Sequence, residues 1–101
     1  MAKFALLVEL QAKPGKEAEA EAFLKGEAVL VKGEPGTLSW HATKVESQPG
    51  AYRIFDTFDD ETAREAHLNG EAGKELVVAT NAGTLFAVAP KVSRLQVFAQ
   101  K

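Results

Sequence analysis

Residues 37–58 read TLSWHATKVESQPGAYRIFDTF, two β-rich runs on either side of Gln48-Pro49-Gly50. Thr, Trp, Tyr, Ile and Phe favour pleated backbone, and a Pro-Gly pair reverses the chain. The segment predicts a hairpin, 37–46 paired with 51–58. Alternation then sorts the side chains. Trp40 shares a face with Leu38 and Ala42 while His41 points the other way. Tyr52, Ile54, Asp56 and Phe58 share one face of the second run, and Arg53, Phe55 and Thr57 take the other.

Upstream, residues 3–11 (KFALLVELQ) predict a strand that Lys13-Pro14-Gly15 breaks. From Lys16 to Lys32 the chain is rich in Ala, Glu, Leu and Lys, all good helix formers. An apolar stripe of Ala22, Phe23, Gly26, Val29 and Leu30 is expected to face inward, with Glu17, Glu21, Lys25 and Lys32 in solvent. Glu34-Pro35-Gly36 ends this helix. Downstream, Asp59 or the Thr57-x-x-Asp60 box caps a helix running through AREAHLN to Gly70. A further helical stretch, 71–81, is interrupted at Gly73, and a last strand covers 92–99 after Pro90. The order is β-α-β-β-α-β, a ferredoxin-like α+β fold with a four-stranded antiparallel sheet and helices on one face.

The whole chain, 1–101, makes one domain. With 12 Lys and Arg against 14 Asp and Glu, the formal net charge is −2, which argues against nucleic acid, whose partners carry a basic excess. No run of 18 apolar residues is present, so no membrane partner is expected. The absence of Cys excludes disulfides, thiolate metal sites and a Cys nucleophile. The expected location is the cytoplasm. The strands add a requirement of their own. Phe4, Leu6 and Val8 lie on one face of the first strand and Ala5 and Leu7 on the other; Leu95 and Val97 oppose Phe98 in the last. A one-layer sheet with a wet back should alternate apolar and polar. Both faces need cover, and a second copy packed sheet against sheet supplies it: a homodimer is expected, and Arg53 is a candidate to pair across it, with Glu9 as one partner that strand parity leaves undecided.

The run Gly36-Thr-Leu-Ser-Trp40, then Tyr52-Arg-Ile-Phe-Asp56-Thr-Phe58, then Glu65-Ala-His67-Leu68 resembles the antibiotic biosynthesis monooxygenase family, as do the opening strand and the Lys-Pro-Gly-Lys turn at 13–16. The resemblance implies a dimeric α+β barrel with a pocket in each protomer between sheet and helices. It also implies oxidation of quinols or anthrones by O₂ with no metal or flavin, so no cofactor is expected. Haem-degrading relatives use an Asn on the first strand, a Trp and a helix His. This chain has Ala5, Leu6, Leu7 and Val8 there and no Trp near His67, which argues against haem cleavage.

His67, beside Ala63 and Ala66, is the candidate base, since a neutral imidazole near its ordinary pKa can take a phenolic proton. Asp56 is its candidate orienter, because a buried carboxylate needs a partner. Trp40, Tyr52, Phe58 and Phe23 are the candidate walls for an aromatic ring. The blander reading of each stands beside it: His67 tied to Asp56 only to bind helix to strand, and Trp40 only core. With a single other His, no metal site is expected. The expected activity is cofactor-independent monooxygenation of a small electron-rich aromatic. The alternatives are a binding module that holds such a metabolite without oxidising it, and a structural or stress-associated dimer with a closed core.

Overall fold

The Pro-Gly turn closes as its chemistry requires: Ala51 N–H donates to Gln48 O at 3.0 Å and Val45 N–H to Ala51 O at 2.9 Å. Gly50 takes φ +81°, a conformation that costs glycine little. In a computed structural model, which describes residues 2–101, this hairpin is β2 (Thr37–Lys44) and β3 (Ala51–Phe58). Their register slips between Thr37 and Ser39, so Leu38 is an extra, exposed residue and strict alternation fails there. Beyond the bulge Trp40 stands opposite Asp56.

The other elements are β1 (Phe4–Gln11), α1 (Glu17–Val31), α2 (Glu61–Leu68), α3 (Glu71–Ala82) and β4 (Lys91–Gln96). The sheet runs β2-β3-β1-β4 with every neighbouring pair antiparallel. This is the ferredoxin-like α+β arrangement, with the second helical stretch split into α2 and α3. Asp60 caps α2, its Oδ1 accepting from Ala63 N–H at 2.8 Å. Gly73 does not interrupt α3. It lies in its first turn, where a Cβ would sit 2.5 Å from Leu68 O, so its missing side chain lets α3 start hard against the end of α2.

The core forms between the helices and one sheet face, around Val8, Leu10, Leu24, Tyr52, Ile54 and Phe86. The inward stripe of α1 differs from the expected one: it is Ala20, Leu24, Glu27 and Val31, while Val29 is 67% exposed and Ala22 and Gly26 face out. Alternating Ala and Glu give α1 little apolar periodicity of its own, so packing against the sheet sets its rotation. That rotation buries a glutamate.

The face without helices carries Ala5, Leu7, Leu95 and Phe55, the last 39% exposed. Arg53 and Glu9 are cross-strand neighbours here, 3.4 Å apart within one chain, which replaces the expected pairing across a dimer. β4 ends at Gln96 rather than continuing to residue 99, and Phe98 beyond it is 98% exposed.

Candidate functional site

Asp56 occupies the middle of β3, between Leu6 of β1 and Trp40 of β2, and points toward the helices with 1% of its surface exposed. Opposite it, α2 presents His67, whose ring tilts over the fully buried Phe58 with centroids 5.4 Å apart. His67 Nε2 lies 2.9 Å from Asp56 Oδ2. The contact is a buried ion pair when the ring is protonated. On the other side of the ring, Nδ1 lies 2.6 Å from Glu34 Oε1, which also accepts from Thr37 Oγ1 at 2.8 Å. The Glu34-Pro35-Gly36 turn, legible in sequence only as a helix stop, thus delivers a carboxylate.

Burial by itself would lower the His67 pKa, but Asp56 and Glu34 outweigh it and hold the ring's pKa above its ordinary value. A carboxylate on each nitrogen favours the imidazolium form and leaves neither nitrogen turned toward a ligand.

Glu27 lies on the inward face of α1 and has no local signature in the sequence. It is 3% exposed and its Oε2 has no partner among the described residues. Burial pushes its pKa up to about 8, helped by the hydrogen bond and negative charge of Glu75 and by Glu34, and opposed by His67. At neutral pH it is largely a neutral acid. Both oxygens of Asp56 are likewise buried without a linear hydrogen bond among the described residues, Oδ2 facing the His67 ring and Oδ1 meeting no partner. Both residues line a cavity of about 100 Å³ between sheet and helices, together with His67, Trp40 and aliphatic side chains of which Leu6, Leu76 and Val92 are examples. Trp40, distant from His67 in sequence, is therefore brought to the same cavity.

The other candidate walls lie elsewhere. Tyr52 and Trp40 border a larger open cleft of about 500 Å³ between α1 and β2. There the Tyr52 hydroxyl donates to Glu21 Oε2 at 2.7 Å, and Lys44 Nζ stands 3.6 Å from the same oxygen. Burial and Glu21 push the Tyr52 pKa up to about 12, so it remains a phenol. Phe58 packs under His67 without lining the cavity. Phe23 meets Phe86 edge to face at 6.0 Å and borders a surface hollow with Glu27 and Glu75. The small cavity, not the larger cleft, is the candidate site. In the cleft Tyr52, Glu21 and Lys44 are paired with one another, whereas the cavity is lined by Asp56 and Glu27, whose buried oxygens lack hydrogen-bond partners, a costly arrangement that marks functional sites. Among the described residues, no group of three His, Asp or Glu side chains is placed to hold a metal ion, and no helix is long and apolar enough to cross a membrane.

Residues 3–79 match the antibiotic biosynthesis monooxygenase family, and the chain belongs to it. Among solved structures it is similar to a protein of unknown function from Nitrosomonas europaea, with 40% identity, TM-score 0.90 and coverage of 100% of this chain and 94% of that one. It is also similar to a protein from Caulobacter crescentus provisionally named an antibiotic biosynthesis monooxygenase, at 25% identity, TM-score 0.83 and coverage of 97% and 92%. A Deinococcus radiodurans protein with the same provisional name shares the fold at 19% identity, TM-score 0.84, with 97% and 95% covered. No curated protein matches the chain significantly.

Proposed function

We propose that this chain is a cofactor-independent monooxygenase that oxidises a small, hydroxylated, electron-rich aromatic with O₂. The observation that carries this reading is the cavity, where two buried carboxyl groups with unpartnered oxygens stand beside an imidazolium in a member of this family. A cavity of about 100 Å³ is smaller than the roughly 150 Å³ that takes up benzene, so a single ring enters only when the surrounding side chains move apart, and a fused anthrone is too large. In this reading Asp56 Oδ1 accepts the ring hydroxyl's hydrogen bond and Trp40 walls the ring. His67 holds Asp56 in place, so the roles expected from sequence are exchanged between the two.

O₂ is a triplet and reacts slowly with closed-shell molecules, so the ring must first become an electron-rich anion. For a hydroquinone the sum is hydroquinone plus O₂ giving a hydroxyquinone and water. One oxygen atom forms the new C–O bond, the other takes two protons from the substrate, and the ring supplies every electron. The protein binds the ring, accepts the proton and keeps bulk water from the intermediates.

O₂ uptake with hydroquinone and catechol, chelator present, tests the reading. Saturable uptake is expected, falling about 10²-fold or more in Asp56→Asn and in His67→Gln, with melting curves confirming that both variants fold. Unchanged rates in both variants would sink the assignment. One observation favours the binding-only alternative: both His67 nitrogens are occupied, so the imidazole has no free base. That alternative predicts saturable binding with no oxygen consumed.

The proposal includes a homodimer. Leu7, Leu95 and Phe55 on the helix-free face support it, since a second sheet packed there would cover them. Sedimentation equilibrium is expected to give twice the chain mass of 10.8 kDa. A monomer at micromolar concentration would end this part of the reading.

A further inference from the structure

We propose that Glu27 exchanges the proton with the molecule held in the cavity, and that Glu75 passes that proton to solvent. The inference rests on the reading of the cavity as the substrate site and assigns a residue to a step which that reading leaves open.

Three observations converge on Glu27. Its side chain lines the cavity, and its buried Oε2 has no hydrogen-bond partner among the described residues. The alternatives are engaged: each nitrogen of His67 has a carboxylate, and a proton placed on Asp56 would give up its buried ion pair with His67. Finally, among the described residues Glu27 alone borders both the inner cavity and the surface hollow that contains Glu75. Glu75 is exposed, so a proton reaching it has reached water.

The step balances simply. The ring O–H breaks, its proton forms a new O–H bond on the Glu27 carboxylate, and the ring keeps the electron pair as an aryloxide. The proton then moves to the Glu75 carboxylate and from there to water, which restores Glu27. The groups that set this exchange come from each element around it: Glu75 on α3, His67 on α2, Glu34 in the turn after α1, and Asp56 on β3 across the cavity. Glu75 and Glu34 favour the protonated form of Glu27 and His67 opposes it; with burial, they place its titration at about 8, near neutral pH, where a general base is most useful.

Two measurements test the inference. In the ligand-free protein, ¹³C NMR of the Glu27 carboxyl is expected to show titration near 8, moving down by about one pH unit in Glu75→Gln. An ordinary glutamate titration, or one that Glu75→Gln leaves in place, overturns the link. In the second, O₂ uptake with hydroquinone is expected to rise with pH through the Glu27 titration. Glu27→Gln should be slower by at least about tenfold and lose that inflection, and Glu75→Gln should move it to lower pH. A Glu27→Gln variant with the wild-type pH profile overturns the inference. Anaerobic hydroquinone separates the two readings. If it displaces the Glu27 resonance while the aerobic protein consumes no O₂, oxidation falls and the proton-exchange role stands. If it displaces nothing and no O₂ is consumed, both fall.

Discussion

Replacing His67 by leucine is expected to cost about 3–5 kcal/mol of folding stability, because it leaves two carboxylates in or near the core without their cation. Asp56 is almost wholly buried and Glu34 only partly exposed, so neither recovers full hydration when the ring is removed. Against the roughly 5–15 kcal/mol that holds a small domain together, the loss is large enough to unfold a substantial fraction of the protein. The pH dependence identifies the cause. His67 titrates above its ordinary pKa in the fold. Its stabilisation is therefore complete below about 6.5, the unfolded value, and is lost as pH rises through the raised folded value. The gap between wild type and His67→Leu should be widest near pH 6 and close steadily in alkali. Urea unfolding followed by Trp40 fluorescence measures it. A gap below about 1 kcal/mol, or one indifferent to pH, would mean that the two carboxylates do not depend on the ring.

Glu27→Leu is expected to do the reverse and stabilise the fold by about 2–4 kcal/mol at pH 8. In the unfolded chain the Glu27 carboxyl ionises near 4.5, whereas in the fold it keeps its proton to about 8. The folded state therefore binds the extra proton between those values, and the wild type loses stability progressively as pH rises from 4.5 to 8. Leucine removes the titration, so the stabilising effect should be small at pH 4.5 and reach its plateau above pH 8. Urea midpoints of wild type and Glu27→Leu across that range provide the check. A leucine variant less stable than wild type at pH 8 would show that Glu27 has a buried partner that compensates it.

The two predictions have opposite signs, and together they separate structure from function in this site. His67 is required to neutralise its neighbours, so its loss damages the fold whatever the protein does. Glu27 makes the fold weaker than an apolar residue would, and a costly buried acid beside a cavity is the pattern in which stability is given up for chemistry. A protein that only needed a closed core would be better served by leucine there.

Much of the architecture is legible along the chain because its causes are local. The Gln48-Pro49-Gly50 turn, the β-rich runs on either side and the Ala, Glu and Lys content of residues 16–32 act within a few residues of backbone, and they suffice for the hairpin, the helices and the ferredoxin-like order. Alternation also places Asp56 on the helix side of β3, and the buried face of Tyr52, Ile54, Asp56 and Phe58 follows from it. The site is another matter. Glu34 reads as part of a helix stop, and Glu27 as one more glutamate in a helix of alternating Ala and Glu. Neither has a local signature, because α1 is too weakly amphipathic to fix its own rotation and the sheet decides which face turns inward. The bulge at Leu38 likewise spoils the alternation that would otherwise pair Trp40 with its neighbours by count. The local order of residues in this chain therefore determined its fold and the strand that carries its central carboxylate. Only tertiary packing decided that Glu34 and Glu27 join Asp56 around His67, because the sign of a charged group's contribution depends on the water it loses and the partners it meets.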